Sequence, residues 1–421
     1  MTESTYNWIW DLIANIWFAG FFAGTFVSPI MNEKFGRKIT FILLNILSLG
    51  ASILRFLAII FYSPEMLFIG RILASFSTSI TFQCLILCLQ ECSPTKFRGA
   101  MSFTSEISYS FMSLIGTFLG MDFIFGSDLR ILLGFAIIPS IFAILVLIPM
   151  PETPKFLYIS KANISAAEKS ILFYHGKSVD PKPILQELQI ESEQDSAASK
   201  SMKEVLKSPH LRKALFLSVL ATQNSAAQMS LQISSTMFLK DVNVSSSLAE
   251  WTSTIMSLAY FIGTIIGFIV IEKIGRRTMF LSFASMNAIC LFLYVIFAAL
   301  QPKMDFLKYG CLITFIIYDL AYGIGVGPLS WFFSSELVPQ RHRSIVQSMC
   351  FGINTIMIVA ATFTVLPLFY AIKAYAFLIL YVIPSLICLF ILIKYLPETK
   401  GREIHEIVNE LKGLKSNNNK N

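Results

Sequence analysis

Arginines and carboxylates recur in this chain as two matching sets about 240 residues apart, a repeat that marks two related half-molecules. The first set is Gly36-Arg37-Lys38, then Glu91 with Pro94 and Arg98, then Pro151-Glu152-Thr153. The second is Gly275-Arg276-Arg277, then Glu336 with Pro339 and Arg343 at the same offsets, then Pro397-Glu398-Thr399. Glu91 and Glu336 fall at the C-terminal ends of apolar runs, where the negative end of a helix dipole disfavours a lone carboxylate. They need cationic partners, so the spacing predicts ion-pair networks joining Arg37, Arg98, Arg276, Arg277 and Arg343 to Glu91, Glu152, Glu336 and Glu398. Pairs that form in one state and break in another suit a gate, because a few kcal/mol bias a two-state equilibrium.

A second group of polar residues lies within apolar runs. Thr222-Gln223-Asn224-Ser225-Ala226-Ala227-Gln228 carries amides and hydroxyls able to hydrogen-bond a solute or to join helices inside a bilayer. Glu106 and Asp319 are ionisable groups in the same setting, and Arg55 is another. Each must be protonated, paired or facing water, because an unpaired charge there costs several kcal/mol. Glu106 reads as a substrate contact or proton carrier on one side and a structural pair on the other; for Asp319 the structural reading leads. No nucleophile elbow, phosphate-binding glycine loop or cluster of metal ligands is present, so neither an enzyme nor a cofactor or metal site is expected.

The elements that position these residues follow from composition. The 421 residues are 55% hydrophobic and 14% charged, too little polar surface for a soluble protein of this length. Eleven apolar runs are each long enough to cross the bilayer as helix: 11–31, 39–61, 66–89, 101–125, 130–150, 213–238, 251–271, 278–300, 309–333, 345–366 and 374–396. Most Lys and Arg fall on one side of this pattern, which places the Gly36 loop, the linker and the C-terminus in the cytoplasm. The net charge of +7 is then a topology signal, and no basic stripe with interleaved aromatics supports a nucleic-acid partner. The seven cysteines lie in or beside the runs, without metal-like or extracellular pairing.

These boundaries predict an all-α membrane protein of two pseudo-symmetric helical bundles. Residues 1–150 form a five-helix bundle and 213–396 a six-helix bundle. Between them, 151–212 is a cytoplasmic linker with helix around Ile184–Glu193, and 397–421 is a cytoplasmic tail, disordered from Lys415. Aligning the repeats pairs Asp11–Met31 with Trp251–Ile271, so the first half reads one helix short of six.

The loops strongly resemble those of the sugar porters of the major facilitator superfamily, the group that includes the facilitative glucose transporters. The carriers are Asn32-Glu-Lys-Phe-Gly-Arg-Lys38, Glu91-Cys-Ser-Pro-Thr-Lys-Phe-Arg98, Pro151-Glu-Thr-Pro-Lys-Phe-Leu157, Glu272-Lys-Ile-Gly-Arg-Arg277 and Pro397-Glu-Thr-Lys-Gly401. The resemblance implies a major facilitator fold with eleven helices (5+6) where family members have twelve. It implies sugar contacts at Gln223, Thr222 and Gln228, and at Trp331 beyond the break in Gly323-Ile-Gly-Val-Gly-Pro-Leu-Ser-Trp331. Other contact positions depart from the family pattern: Glu106 stands for a glutamine, Tyr260 for an asparagine, Gly323 for an acidic residue, and Ile353 lies beside Asn354.

The expected activity is secondary transport of a small polar solute, a sugar or polyol, by alternating access in the plasma membrane. An organic-ion carrier of the same superfamily, suggested by Glu106, and a truncated non-transporting membrane protein are the alternatives. The expected partners are the solute and the lipid bilayer, with oligomeric state open.

Overall fold

Inside hydrocarbon every backbone N–H and C=O must be satisfied within the protein, and a continuous helix does this locally. The computed structural model describes residues 3–93, 98–196, 202–339, 342–400, 402 and 404–411, and among them it is helical with no strand. Helices α1 (Glu3–Phe35), α2 (Arg37–Ile60), α3 (Pro64–Cys92), α4 (Arg98–Leu119) and α5 (Leu129–Leu147) come first. Three shorter ones, α6 (Ile164–His175), α7 (Lys182–Ser196) and α8 (Met202–Lys207), occupy the polar stretch, with α7 covering the helix expected around Ile184–Glu193. Then follow α9 (Pro209–Ala221), α10 (Asn224–Asp241), α11 (Ser246–Ile274), α12 (Arg276–Leu300), α13 (Leu307–Ala321), α14 (Gly327–Glu336), α15 (Arg343–Ile372), α16 (Tyr375–Tyr395) and α17 (Ile404–Leu411). The tail from Lys415, expected to be disordered, lies outside the described residues.

Among the described residues, eight helical stretches are long and apolar enough to cross a membrane. They match eight of the eleven expected runs. Helix also stands at the other three places, α1, α4 and the α9–α10 pair, but these are not among the eight. The run 213–238 is two helices instead of one. Its polar residues compete for the backbone: the Thr222 hydroxyl donates to the Val219 carbonyl at 2.9 Å and the Ser225 hydroxyl to the Thr222 carbonyl at 2.5 Å. The α-helical ladder lapses at Thr222–Gln223 and restarts at Asn224.

The second interruption was expected and takes a defined form. Between α13 and α14 the chain makes a π turn, Tyr322–Val326, where Gly323, Gly325 and the Pro328 ring weaken the α register. The Ser330 hydroxyl takes up the carbonyl of Val326 at 2.5 Å and that of Ala221 at 3.0 Å, tying this break to the end of α9.

The helices pack as two units. One comprises Met1–Met101 and Asp122–Lys200, the other Ser102–Met121 and Ser201–Asn421. In the first, α1 lies close along α3, with Gly20 and Gly24 against backbone and serine side chains of α3 and Thr25 Oγ1 2.9 Å from Ser79 Oγ. In the second, α4 lies on α11 through hydroxyl pairs, Ser110–Thr264 at 3.1 Å and Thr117–Ser257 at 3.0 Å. Helix α11 meets the π turn backbone to backbone, because Gly263 and Gly267 leave no Cβ between them and the carbonyls of Leu320 and Ile324.

A methyl group at Gly267 would collide with the Ile324 carbonyl and the Phe103 ring, whereas one at Gly50 would meet nothing within 4 Å. Gly267→Ala is therefore expected to cost about 1–3 kcal/mol of stability, and Gly50→Ala to be neutral or slightly stabilising. Thermal unfolding of the two purified variants checks this; equal melting temperatures would contradict the close packing.

Candidate functional site

Two assemblies of functional side chains emerge, and the first is built twice. In the first unit Gly36 turns the chain from α1 into α2 at φ 87°, ψ 173°, and in the second Gly275 does so from α11 into α12 at φ 99°, ψ 151°. Only glycine occupies this region readily. Each turn leaves the first N–H groups of the next helix without intrahelical acceptors. Glu152 supplies them in the first unit: its carboxylate accepts from Arg37 N at 3.0 Å, from Lys38 N at 3.0 and 3.1 Å, and from Thr153 N at 2.9 Å. Glu398 supplies them in the second, accepting from Arg276 N at 3.0 Å, Arg277 N at 3.3 Å, Thr399 N at 3.0 Å and Lys400 N at 3.1 Å. A negative charge at the positive end of a helix dipole is favourable.

The arginine side chains go elsewhere. Arg37 pairs with Glu91 at 2.5 Å and Arg276 with Glu336 at 3.6 Å. The threonine of each Pro-Glu-Thr loop donates to the same carboxylate, Thr153 to Glu91 at 2.8 Å and Thr399 to Glu336 at 2.5 Å. The second basic residue of each turn caps a helix C-terminus, Lys38 Nζ donating to the Ile148 carbonyl at 2.9 Å and Arg277 Nη2 to that of Ile393 at 2.6 Å. Arg343 lies in electrostatic reach of Glu336. The side chain of Arg98 lies outside the described residues.

The structure thus joins the predicted partners Arg37–Glu91 and Arg276–Glu336, and gives Glu152 and Glu398 to backbone N–H groups where arginine side chains were expected. The sequence signal for these glutamates is the Pro-Glu-Thr repeat, which marks the position and not the partner. Glu336 lies two residues beyond the apolar span, its side chain 22% exposed. Burial pushes its carboxyl up to about 7, against the pull of Arg276, the Thr399 hydroxyl and Arg343.

The second assembly lies wholly in the second unit, around the break between α9 and α10. Thr222, Gln223, Asn224, Ser225 and Gln228 are all buried. Ser225 Oγ lies 2.7 Å from Asn354 Oδ1, sharing its one proton between that oxygen and the Thr222 carbonyl. Ser385 donates to Asn224 Oδ1 at 2.9 Å and Tyr381 to Ser230 at 2.6 Å, so α10 is held to α15 and α16. Gln223 Oε1 and both amide atoms of Gln228 are buried without a hydrogen bond of normal geometry among the described residues, although Gln228 stands beside the Asp319 carboxyl. Trp331 on α14 stacks one face on Phe351, ring centroids 4.2 Å apart and 16° between planes.

Glu106 and Tyr260, which the sequence offers as two separate departures from the family pattern, meet directly: the Tyr260 hydroxyl donates to Glu106 Oε1. Around them an aromatic group, unforeseen in the sequence, brings Tyr322 to 5.6 Å and Tyr109 to 6.4 Å from Tyr260, both edge-on. Tyr318 stacks on Tyr322 at 6.3 Å, an i, i+4 pair on α13 running into the π turn. That spacing is visible in the sequence, but it is the signature of any packed helix face. Tyr109 also donates to Gln232 on α10 at 3.3 Å.

Membrane-crossing helices, paired charged clasps and a buried polar cluster at two helix breaks define a multi-pass membrane transporter. The profile of the family described as Sugar (and other) transporter matches residues 2–411, and the chain belongs to that family, the sugar porters of the major facilitator superfamily. It is 28% identical to facilitated glucose transporter member 3 of Mus musculus, over 98% of this chain and 84% of that protein. It is also 28% identical to member 1 of Gallus gallus, over 97% of this chain and 83% of that protein. The structure of the proton:xylose symporter XylE bound to 6-bromo-6-deoxy-D-glucose superimposes with a TM-score of 0.80 at 16% identity, covering 97% of this chain and 90% of that one. That likeness shows the major facilitator fold. The chain is a secondary transporter, and these relatives do not favour the organic-ion and non-transporting alternatives.

Because the folded-state pKa of Glu336 lies above its ordinary value of 4.5, its contribution to stability is fully present below that value and is lost as pH rises through about 7. The melting temperature of the purified protein is expected to fall between about pH 5 and about pH 8, and Glu336→Gln to flatten that fall. Parallel pH profiles for the two proteins would contradict the assignment.

Proposed function

We propose that the chain carries a sugar or polyol across the plasma membrane by alternating access, binding it at the polar cluster of the second unit. The observation that carries this reading is the set of unmet hydrogen-bonding atoms on Gln223 and Gln228, buried at the break between α9 and α10. Buried polar atoms are ordinarily satisfied. A polyhydroxylated solute offers donors and acceptors to both amides at once, and the relatives named for glucose and xylose transport support a cargo of this kind. In this reading Gln223, Gln228 and Asn354 bind hydroxyls, and Trp331 presents a ring face to the sugar. Glu106, held by Tyr260, closes one side of the site. Thr222 contributes through its place at the break, since its hydroxyl already serves the Val219 carbonyl.

The two clasps are the gate of the same machine. Residues 1–150 and 213–396 act as the moving bundles, with Ser102–Met121 of the first packed into the second unit in this state; 151–212 is the linker between them, and 397–421 is the tail. The clasps, the linker and the C-terminus face the cytoplasm, as the distribution of basic residues supports. Arg37–Glu91 and Arg276–Glu336, with Arg98, Arg277 and Arg343 in support, and the Glu152 and Glu398 caps hold one state of the cycle. Cargo binding shifts the balance by its different affinity for the two states.

Uptake of labelled D-glucose, D-xylose and myo-inositol into proteoliposomes tests the reading. At least one should enter faster than into protein-free vesicles and saturate, and Gln223→Ala or Trp331→Ala should lower kcat/KM by about tenfold or more, the loss expected for one buried polar or aromatic contact. Wild-type uptake no faster than that of either variant would sink it.

A further inference from the structure

Asp319 has no role in the assembly described so far. It is 2% exposed, near the C-terminal end of α13, three residues before the π turn, and its Oδ1 has no hydrogen-bond partner of normal geometry among the described residues. Gln228 of α10, 1% exposed, stands against its carboxyl. Neither amide atom of Gln228 makes a hydrogen bond of normal geometry. Of the neighbouring hydroxyls, that of Tyr318 points to the Asn224 carbonyl at 3.5 Å. No cation of its own span reaches it, because the only Lys, Arg or His in Leu307–Ser334 is Lys308, paired with Asp305 at 2.5 Å near the start of α13.

The unmet atoms at this position and at Gln223 are Asp319 Oδ1, Gln228 Oε1, Gln223 Oε1 and Gln228 Nε2, with Gln228 the hydrogen-bonding neighbour of the Asp319 carboxyl. A polyhydroxylated ligand can bring the donors that these oxygens lack. A carboxyl oxygen left bare in an apolar bundle costs more than an amide left bare, so it is the stronger determinant of what fits. Asp319 and Gln228 come from two helices on either side of the α9–α10 break and the π turn, so the pair adjoins the polar cluster.

We propose that Asp319, together with Gln228, is a specificity-determining position of the sugar site, accepting a hydrogen bond from one particular hydroxyl of the cargo. This deepens the transport reading and rests on it. A site built around an acceptor of this kind discriminates against an analogue lacking the matching hydroxyl, because the carboxyl is then buried without a partner. It also tolerates an amino group in place of that hydroxyl, since an ammonium or amine is a donor too.

Equilibrium binding to the purified full-length protein in nanodiscs tests this. The parent sugar is the tightest binder among D-glucose, D-xylose, D-fructose and myo-inositol, and its monodeoxy and monoamino analogues are compared with it one position at a time. In the wild type one deoxy analogue should bind about tenfold or more weakly than the parent, with the amino analogue at that position close to it. In Asp319→Val that one gap should shrink to about twofold or less while gaps at other positions persist; Asp319→Asn, which keeps an acceptor, should retain part of it. Gln228→Ala should shrink the gap at the same position. If the valine variant does not reach the membrane, the proposal stands or falls on Asp319→Asn reducing that one gap in part and Gln228→Ala shrinking the same gap, with the gaps at other positions unchanged in both. A variant that weakens the parent and all its analogues alike, or alters no gap, overturns the proposal and leaves the transport reading standing. Failure of all four sugars to bind the wild type overturns both.

Discussion

The constraint on which most of the charged architecture depends is the orphaned N-terminus of a helix that begins immediately after a glycine turn. Gly36 and Gly275 reverse the chain so sharply that α2 and α12 start with bare N–H groups. A carboxylate far away in sequence must come back to receive them, and Glu152 and Glu398 do so at two helix-start N–H groups each, while also accepting from N–H groups of their own loops. Once the glutamate is fixed, so is the rest of its loop. The adjacent threonine reaches the next carboxylate, Glu91 or Glu336, and that carboxylate then holds the first arginine of the turn. Cap, hydroxyl bridge and ion pair form one chain of contacts in each unit, so removing the glutamate is expected to loosen all of it.

The polar cluster depends on a different failure of the helix. Hydroxyls at Thr222 and Ser225 take backbone carbonyls for themselves, and glycines with Pro328 do the equivalent at the π turn. Near these interruptions stand amides, carboxyls and several tyrosines of the second unit, linked by Tyr260 to Glu106 and by Tyr318 to the Asn224 carbonyl. A continuous pair of helices would have buried the same residues as ordinary interhelical contacts. Gln223 at the first interruption, and Gln228 and Asp319 in the helices that adjoin the two, have atoms unmet.

Legibility in the sequence followed chemistry that has a side-chain partner. The repeated Arg and Glu positions could be paired by type, and Arg37–Glu91 and Arg276–Glu336 are present. The role of Glu152 and Glu398 was hidden, because their partners are backbone N–H groups and any residue supplies one. A break was readable from Gly323, Gly325 and Pro328, but its form as a π turn was not. The break at Thr222 was not, since hydropathy summed over 213–238 hides four consecutive polar residues. Glu106 and Tyr260 were each visible as departures from a family pattern, but no spacing rule links residues 154 apart. Asp319 read as structural because its lack of a partner is a property of the packed bundle alone.

Backbone amide exchange at the two clasps tests the central claim most directly. The amides of Arg37, Lys38, Arg276 and Arg277 should be protected in the wild type although they lie at helix starts, where N–H groups ordinarily exchange fast. Glu152→Ala should remove protection from the first pair and Glu398→Ala from the second, while Arg37→Ala and Arg276→Ala leave the backbone amides protected. Protection that survives loss of the glutamates, or that vanishes equally with loss of the arginine side chains, would contradict the account.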